Sequence, residues 1–303
     1  MINNNIAQIL ENLQIDNNRL SEDLIIILGP TASGKTKLAV ELAEIIDAEI
    51  ISADSRQVYK GMDIGTGKDL LEYGHIRYHL IDIIEAGEKY NVSNFLNDFE
   101  RVYQDVKSRG KKIIVCGGTG FYIQALLKDM RFSQIPIDLN LREHLETIPK
   151  EHFPDLIQKI TLPEDFVVDM SSKKRMIRAI EISYFLQQNP SYNLQANPIY
   201  NAAVFGLNPA VELRRTKIST RLEQRIEMGM ITEVKSLLDL GVSFEELEYY
   251  GLEYKYISYY LKGNLSYDEF FTKLETEIHR YAKRQMTYFR KMEKDGVHIH
   301  WLS

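Results

Sequence analysis

The segment from Leu24 to Ile46 constrains the fold more than any other part of the chain. Its continuously apolar start, Leu24–Leu28, is followed by Gly-Pro, which is typical of a buried parallel strand. The next eight residues, Gly29–Thr36, match the pattern G-x-x-x-x-G-K-[ST] in full. Apolar residues then recur at helical spacing up to Ile46. A strand, a glycine-rich turn and a helix in this order predict a phosphate-binding P-loop.

The glycines of this turn let backbone N–H groups converge on phosphate oxygens without a Cβ in the way. The helix dipole adds positive charge, Lys35 adds a cation, and the Thr36 hydroxyl is a candidate ligand of Mg²⁺. The alternative is a tight turn that happens to contain these residues. The candidate phosphate-binding residues are Gly29, Pro30, Thr31, Ala32, Ser33, Gly34, Lys35 and Thr36.

Short apolar segments alternate with helical segments along much of the chain. Further strands are predicted at residues 49–52, 78–83, 112–116, 203–207 and 297–301. This alternation predicts an α/β fold of the P-loop NTPase-like kind, a parallel sheet flanked by helices. Its ligand crevice lies at the carboxyl ends of the strands, where the P-loop, Asp54 and the turn Gly117–Gly120 are all expected.

The strand pattern disappears between about Arg131 and Tyr200, where prolines separate short helical stretches. We therefore predict a small helical insertion domain at residues 131–200. Residues 23–130 and 201–303 form the predicted catalytic core. Residues 1–22 are predicted to be an N-terminal tail or a loosely held helix.

The formal net charge of −6 argues against a protein that coats nucleic acid without specificity. Basic residues nevertheless gather in three tracts, Lys173–Arg178, Arg214–Arg225 and Arg280–Lys291. These tracts are either a local RNA-binding surface or solvated charged faces.

A single cysteine, Cys116, cannot form an intramolecular disulfide, and the chain starts without a basic segment leading into an apolar one. No apolar run has the length needed to cross a bilayer. These features predict a cytoplasmic protein without membrane association.

Two acidic residues are candidates for chemistry beside the P-loop. A P-loop NTPase that binds ATP usually has an acidic residue after a second apolar strand, but here that strand runs into Gly117-Gly118-Thr119. Asp82 is an alternative, although a buried structural aspartate is an equally good interpretation. Asp54 follows its own strand and is a candidate general base, a second-shell Mg²⁺ ligand or, with Ser55, a helix N-cap.

Several segments in fixed order resemble the tRNA dimethylallyltransferases, also called tRNA isopentenyltransferases. The resemblance covers nearly everything after the N-terminal tail. It is carried by the segments Gly29–Thr36, Ile51–Thr66, His79–Asp82, Gly117–Ile123, Arg175–Glu181 and Tyr281–Arg290.

The resemblance implies transfer of a dimethylallyl group from dimethylallyl diphosphate to N6 of the adenosine next to the anticodon (position 37) of tRNA. The products are diphosphate and N6-isopentenyladenosine. Asp54 would be the general base, and Thr31, Lys35 and Arg221 would join it as catalytic residues. The whole P-loop would bind the diphosphate, with Mg²⁺ at Thr36.

The resemblance further implies that the tRNA anticodon stem-loop delivers a flipped adenine to a channel between the donor site and the insertion. No obligate protein partner is expected, and the chain is predicted to be a monomer. The residues implied in tRNA binding are Asp54, Ser55, Arg56, Gln57, Thr119, Arg142, Lys174, Arg175, Met176, Ile177, Arg178, Tyr254, Lys255, Arg280 and Arg284.

On α-helical spacing, Thr287 and Lys291 share a face with Arg280 and Arg284, whereas Tyr281, Gln285 and Tyr288 are predicted to pack. Three positions depart from the family pattern: Ser172 replaces the usual Asp, Ala86 a common Pro, and Glu253 a Gly.

Two alternative functions remain at this point. A P-loop kinase would use Asp54 to activate a small-molecule hydroxyl, and a non-catalytic RNA-binding protein would retain the P-loop as a scaffold.

Overall fold

A computed structural model of the protein describes residues 4–13, 15–16 and 19–302. The strands are β1 (Ile15–Asp16), β2 (Arg19–Leu20), β3 (Leu24–Leu28), β4 (Ala48–Ser52), β5 (Tyr78–His79), β6 (Lys112–Gly117), β7 (Ala202–Leu207) and β8 (His300–Leu302). The helices are α1 (Asn4–Asn12), α2 (Lys35–Ile46), α3 (Val92–Ser108), α4 (Gly120–Leu127), α5 (Leu139–Glu146), α6 (Phe153–Gln158), α7 (Lys173–Gln188), α8 (Val211–Glu227), α9 (Met230–Asp239), α10 (Phe244–Tyr249), α11 (Leu252–Leu261) and α12 (Tyr267–Lys294).

Six strands form one sheet in the order β5-β4-β6-β3-β7-β8, and every neighbouring pair is parallel. All five residues of β3, next to the middle of the sheet, are buried, which explains why this strand is continuously apolar. Helices cover the sheet, as parallel connections require. The predicted α/β fold with a parallel, helix-flanked sheet is confirmed.

The register of the sheet brings the predicted site loops to one edge. Leu28 pairs with Gly117, and Ser52 pairs with Cys116, so β3, β4 and β6 end side by side. The loops that follow these strands carry the P-loop, Asp54 and Thr119. The carboxyl edge is therefore the place where the site can form.

The N-terminal segment is held more firmly than predicted. Ile6, Ile9 and Leu13 are 3%, 0% and 5% exposed and pack into the core with Leu38 and Leu42 of α2. The helix offered as one of the two predictions is present as α1, but the prediction that it is loosely held is wrong, because this helix buries one apolar face against the core.

The strand predicted at residues 78–83 is much shorter than expected. β5 ends at His79 because Leu80 and Asp82 have φ values of +60° and +57°, which a strand cannot accommodate. The apolar alternation predicted the strand, whereas the local backbone turns Asp82 away from the ladder.

The chain divides into two compact units. One unit runs up to Lys128 and resumes at Ile199, and the other comprises Asp129–Pro198. The sequence-based division was at residues 131–200. The second unit has its own apolar core, formed by Leu145, Phe153, Met176, Ile177 and Ile180.

A buried carboxylate at the opposite end of β4 ties the sheet to α3. Glu49 accepts hydrogen bonds from Arg109 Nε (3.0 Å) and Nη2 (2.8 Å), and its Oε2 lies 2.6 Å from His79 Nε2. Burial would raise the pKa of Glu49, but the hydrogen bonds from Arg109 and His79 outweigh burial and hold the pKa below its ordinary 4.5.

We expect Glu49→Gln to lower the free energy of unfolding by about 2 kcal/mol near neutral pH, because the mutation removes the buried carboxylate that accepts two hydrogen bonds from Arg109 and leaves that guanidinium with Asp105 as its acidic partner. The folded-state pKa lies below the unfolded-state value, so the stabilisation is complete above about pH 4.5 and is lost as pH falls through the lower value. Urea unfolding at neutral and acidic pH checks this, with Glu11→Gln as an exposed control. An equal loss at both pH values would contradict it.

Candidate active site

The glycine-rich turn between β3 and α2 has the backbone that its sequence predicts. Gly34 adopts φ +87° at the N-cap of α2, and Ala32 adopts φ +59°. A Cβ on Gly29 would lie 2.7 Å from Ser33 Oγ and 3.1 Å from the carbonyl oxygen of Leu207. The turn therefore requires its glycines for steric reasons, and it presents the N-terminus of α2 as an anion site.

One side chain of α12 holds this turn in place. Gln285 Oε1 accepts the N–H of Thr31 at 2.9 Å, and Gln285 Nε2 donates to the carbonyl of Gly118 at 2.9 Å. Gln285 thus joins the loops after β3 and β6. Gln285 is buried, as the prediction that it packs requires, and its amide is in addition a polar bridge between two loops of the site.

A cavity of about 410 Å³ opens at the carboxyl edge of the sheet. Its lining includes many residues that the sequence predicts for the site, namely Thr31, Lys35, Thr36, Asp54, Ser55, Arg56, Gln57, Arg221, Tyr254, Lys255 and Arg284. It also includes residues to which the sequence assigned no role in the site, among them Tyr73, Arg225, Tyr249, Tyr250, Glu253, Ile278 and Tyr281. The P-loop and Asp54 therefore belong to one cavity.

Asp54 is fixed by the loop that follows β4. Its Oδ1 accepts the N–H of Arg56 at 2.9 Å, and the N–H of Ser55 donates to Thr119 Oγ1 at 3.1 Å. Within the described residues no helix begins at Ser55, so the N-cap interpretation of Asp54 is wrong. The half-buried carboxylate lines the same cavity as the predicted phosphate site.

Cationic side chains surround the P-loop. Burial lowers the pKa of Lys35, and the positive charges of Arg221 and Arg225 act in the same direction. Arg221 Nη2 contacts Asp69 Oδ2 and lies 3.5 Å from the carbonyl of Gly67. Such a concentration of buried positive charge favours an anionic ligand.

The lone cysteine lies on the floor of the cavity. Cys116 is 4% exposed at the end of β6. Burial raises the pKa of its thiol to about 11, so the sulfur stays protonated at neutral pH. The cysteine therefore acts as a small apolar wall residue.

Asp82 has a structural partner. The buried ammonium of Lys68 contacts Asp82 Oδ1, and it also donates to Asp63 Oδ1 at 2.6 Å and to the carbonyl of Tyr59 at 2.7 Å. This network favours the interpretation of Asp82 as a structural aspartate.

Two tyrosine–arginine pairs line the cavity. The guanidinium of Arg56 lies 4.9 Å from the ring centroid of Tyr249, and that of Arg284 lies 5.8 Å from the ring centroid of Tyr281. The prediction that Tyr281 packs is wrong, because this residue is 36% exposed and forms part of the cavity wall. Tyr288 does pack, against Gly120.

The predicted RNA-contacting residues of the second unit fall into two groups. Lys174 and Arg175 are exposed, with Arg175 Nη1 2.5 Å from Asp169 Oδ2. Ser172 caps α7 through its side chain, as the family's usual Asp would.

The remaining members of this set serve the interior of the second unit. The buried Glu181 pairs with Arg142 Nε at 2.6 Å and with Arg178 Nη1 at 3.3 Å. Met176 and Ile177 are 1% and 2% exposed. The prediction that the Met176 and Ile177 side chains contact RNA is wrong, because they face the core of the second unit.

The basic face predicted on α12 divides between the cavity and the surrounding surface. Arg284 lines the cavity, whereas Arg280 is 66% exposed and pairs with Glu277 at 2.5 Å. Lys291 pairs with Asp295 at 2.7 Å, and Thr287 donates to the carbonyl of Lys283 at 3.0 Å.

A single carboxylate, that of Glu233, holds together residues 63–65 and Tyr254 in another part of the cavity wall. Glu233 accepts three backbone N–H groups, those of Asp63 (2.8 Å), Ile64 (2.7 Å) and Gly65 (3.0 Å). It also accepts the hydroxyl of Tyr254 at 2.7 Å. A Cβ on Gly65 would lie 2.6 Å from the Tyr254 ring, so the loop and the ring are in close contact. This role could not be predicted from the sequence, because Glu233 is 168–170 residues from the loop along the chain.

We expect Glu233→Ala to loosen this wall, because three N–H donors and one hydroxyl lose their acceptor at once. Losing even one such bond costs about 1–3 kcal/mol. Amide hydrogen exchange of residues 63–65 should therefore accelerate at least about tenfold. Glu227→Ala on the exposed part of α8 is the control. Unchanged exchange in Glu233→Ala would show that the carboxylate does not hold the loop.

Two further features bear on ligands and environment. Across residues 4–13, 15–16 and 19–302, His, Cys, Asp and Glu side chains form no group of three or more arranged to bind a metal ion. No helix within these same ranges has the length and apolarity needed to span a membrane.

The chain is similar to one family of proteins over most of its length. Residues 57–292 match the model of the IPP transferase family. The chain is 48% identical over 280 residues to "tRNA dimethylallyltransferase 2" of Shewanella sediminis, covering 92% of this chain and 93% of that relative. It is 50% identical over 287 residues to "tRNA dimethylallyltransferase 1" of Parabacteroides distasonis, covering 93% and 92%.

A solved structure agrees with these sequence matches. The full-length tRNA isopentenylpyrophosphate transferase of Bacillus halodurans is 32% identical to this chain, with a TM-score of 0.65 and coverage of 93% of this chain and 90% of that one. The resemblance stated from the motifs is confirmed, and the chain belongs to the IPP transferase family, which includes the tRNA dimethylallyltransferases.

Proposed function

We propose that this enzyme transfers the dimethylallyl group of dimethylallyl diphosphate to N6 of the adenosine beside the anticodon of tRNA. The observation that carries the proposal is that a phosphate cradle and a fixed carboxylate, Asp54, line the same cavity. A group transfer needs both features: a site for the departing anion and a base for the attacking nucleophile.

In the proposed reaction, N6 attacks C1 of the prenyl group, and a C–N bond forms. The bond between C1 and the bridging oxygen of the diphosphate breaks, and its electron pair stays with that oxygen. The proton displaced from N6 passes to Asp54. Atoms and charge then balance, with N6-isopentenyladenosine and diphosphate as products.

The side of the cavity formed by the P-loop can stabilise the negative charge that develops on the departing diphosphate. The Thr31 N–H donates to Gln285, which fixes the position of Thr31 in the cavity wall, and Lys35 and Arg221 supply positive charge beside the P-loop. Fixed donors and cations that face a developing anion lower the barrier without reorganisation during the reaction. Thr31, Lys35 and Arg221 are therefore the proposed stabilisers of the departing diphosphate.

Mg²⁺ is proposed as the cofactor. Thr36 lines the cavity, but the protein offers no cluster of three acidic or histidine ligands among its described residues. A single hydroxyl ligand from the protein is compatible with an ion that is held chiefly by the phosphate oxygens of the bound diphosphate, which is usual for Mg²⁺. When bound, the ion would neutralise diphosphate charge, with Thr36 as its protein ligand.

Arginine, lysine and aromatic side chains at the cavity suit RNA. Arg56, Lys255 and Arg284 supply positive charge, while Tyr249 and Tyr281 supply aromatic rings near a base that must leave its stack. Exposed Lys174, Arg175 and Arg280 are proposed to contact the tRNA backbone. We further propose that the enzyme works in the cytoplasm and as a monomer, with no other protein required.

Label transfer tests the proposal against its alternatives. The enzyme is incubated with bulk tRNA and either dimethylallyl diphosphate labelled in the prenyl group or ATP labelled in the γ-phosphate. We expect label in tRNA only from the prenyl donor. Label transfer from ATP alone would support a kinase, and binding of tRNA without transfer from either donor would support a non-catalytic RNA-binding protein.

A further inference from the structure

A second arginine of α8 lies beside the predicted phosphate site. Arg221 and Arg225 are one helical turn apart, so they share a face of α8. Both line the main cavity together with Lys35 and Thr36. Both also line an adjoining cavity of about 340 Å³ whose wall includes Ala32, Ser33 and Gly34 of the P-loop. Two guanidinium groups thus lie beside the glycine-rich turn that leads into α2.

The loop around Gly67 is shaped to admit both guanidinium groups. Gly67 has φ +63°, and a Cβ there would lie 1.4 Å from Arg225 Nη2 and 2.9 Å from Arg221 Nη2. Its carbonyl accepts from Gln57 Nε2 at 3.1 Å, which fixes this backbone next to the Asp54 loop. Any side chain at position 67 would therefore displace the guanidinium of Arg225 from the cavity.

The two arginines differ in how many hydrogen-bond and ion-pair partners the protein provides for their guanidinium groups. Arg221 has a carboxylate in direct contact, Asp69. Arg225 Nη1 lies 4.0 Å from Glu253 Oε1, too far for a hydrogen bond, and its buried Nε has no hydrogen-bond partner among the described residues. Yet its side chain is only 12% exposed.

Burying an incompletely paired guanidinium is costly. Burial, reinforced by the charge of Arg221, lowers the pKa of Arg225 to about 10, which still leaves it charged at neutral pH. Burial raises the pKa of Glu253, against the opposing charge of Arg225. Arg225 therefore lies in the cavity without full partners, and an anion that entered beside it would supply the missing acceptor.

We propose that Arg225 is a further residue of the leaving-group site, where its guanidinium binds the diphosphate of the donor together with Lys35 and Arg221. Glu253 is the counterion of Arg225 while the donor is absent, and its negative charge opposes the binding of the diphosphate. This inference rests on the proposed function, because it assigns the anion bound beside Arg225 to the prenyl donor.

During the transfer, the breaking C–O bond leaves its electron pair on the diphosphate, whose negative charge increases by one. A fully desolvated guanidinium stabilises that charge more than a hydrated one does. Arg225 is more deeply buried than Arg221, whose side chain is 30% exposed. The deeper arginine is thus suited to stabilise the charge that develops in the transition state.

Two substitutions with opposite expected effects test the proposal. The probe is inorganic diphosphate with Mg²⁺, and its Kd is measured by titration calorimetry on the free enzyme. Arg225→Gln should weaken binding about ten- to hundredfold, because a charge-assisted contact is lost. Glu253→Gln should tighten binding several-fold, because a nearby negative charge is removed. Arg215→Gln, on the exposed face of α8, should leave the Kd within about twofold.

The opposite signs separate this role from that of a structural ion pair. If the pair only stabilised the fold, both substitutions would weaken diphosphate binding together or leave it unchanged, and either result overturns the proposal. Arg225→Lys, which keeps the charge, should bind diphosphate more tightly than Arg225→Gln, and it serves if the glutamine variant does not fold. Equal binding by the lysine and glutamine variants also overturns the proposal.

Binding of diphosphate needs no turnover, so this test is independent of the proposed function. If wild-type enzyme fails to prenylate tRNA while Arg225→Gln still weakens diphosphate binding, the reaction is wrong and the anion site stands. If the enzyme prenylates tRNA while Arg225→Gln leaves the Kd of diphosphate unchanged, the reaction stands and the assignment of Arg225 falls. The tRNA affinity of Arg225→Gln, measured by filter binding, should stay within about twofold of wild type.

Discussion

Replacing Asp54 with asparagine is expected to lower kcat for prenyl transfer by about 10²–10⁴-fold, the usual contribution of a general base. Asparagine keeps the size of the side chain and its acceptor for the Arg56 N–H, which donates to Asp54 Oδ1 at 2.9 Å. It cannot accept the proton that leaves N6. Single-turnover measurements with saturating donor and tRNA isolate this loss from any change in binding.

The affinity for tRNA should remain near that of the wild type in Asp54→Asn, because the fold of the loop is preserved. Asp239→Asn, on the exposed end of α9, is the control and should retain full activity. If Asp54→Asn turned over at the wild-type rate, Asp54 would be a structural residue and the base would have to be another group. If it lost tRNA binding to the same extent as activity, its role would be in recognition.

Lys35→Met is expected to lower kcat/KM for the donor by about 10²–10³-fold, comparable with removal of a fixed donor from an anion-stabilising site. Methionine fills a similar volume, so the substitution removes the charge with little change in packing. Because burial lowers the pKa of Lys35 and outweighs the opposing charge of Asp54, we expect the variant to be at least as stable as the wild type. Thermal unfolding and donor-dependent kinetics check the two effects separately.

Lys37→Met provides the matched control, since Lys37 lies two residues further along α2 with a side chain that is 77% exposed. It should change donor kinetics by less than about twofold. A fall in kcat/KM of equal size in both variants would mean that long-range charge, rather than contact with the diphosphate, explains the effect of Lys35→Met.

The sequence predicts the local parts of this site better than the long-range ones. The P-loop and the loop at Asp54 could be predicted because each follows an apolar strand, and parallel strands end at one edge. The predicted length of the strand at residues 78–83 was wrong, because positive φ values at Leu80 and Asp82 interrupt an apolar pattern that looks continuous.

The contributions from the helices after β7 could not be predicted from spacing. Gln285 and Glu233 act on loops that lie more than 150 residues away, at separations of 254 and 168–170 residues. Only the fold shows that an amide on α12 and a carboxylate on α9 reach the cavity. The prediction that Met176 and Ile177 bind tRNA was wrong for a different reason. It rested on a motif match, and a motif match does not distinguish side chains that face solvent from side chains that fill a core.

The central claim is that the phosphate cradle binds a leaving group and not a transferred phosphoryl group. Mass spectrometry of nucleosides from tRNA treated with purified enzyme, dimethylallyl diphosphate and Mg²⁺ tests it most directly. We predict N6-isopentenyladenosine in an amount equal to the diphosphate released, with no requirement for ATP, and almost none with Asp54→Asn. Unmodified adenosine in the presence of the donor, or a phosphorylated product that appears only with ATP, would contradict the claim.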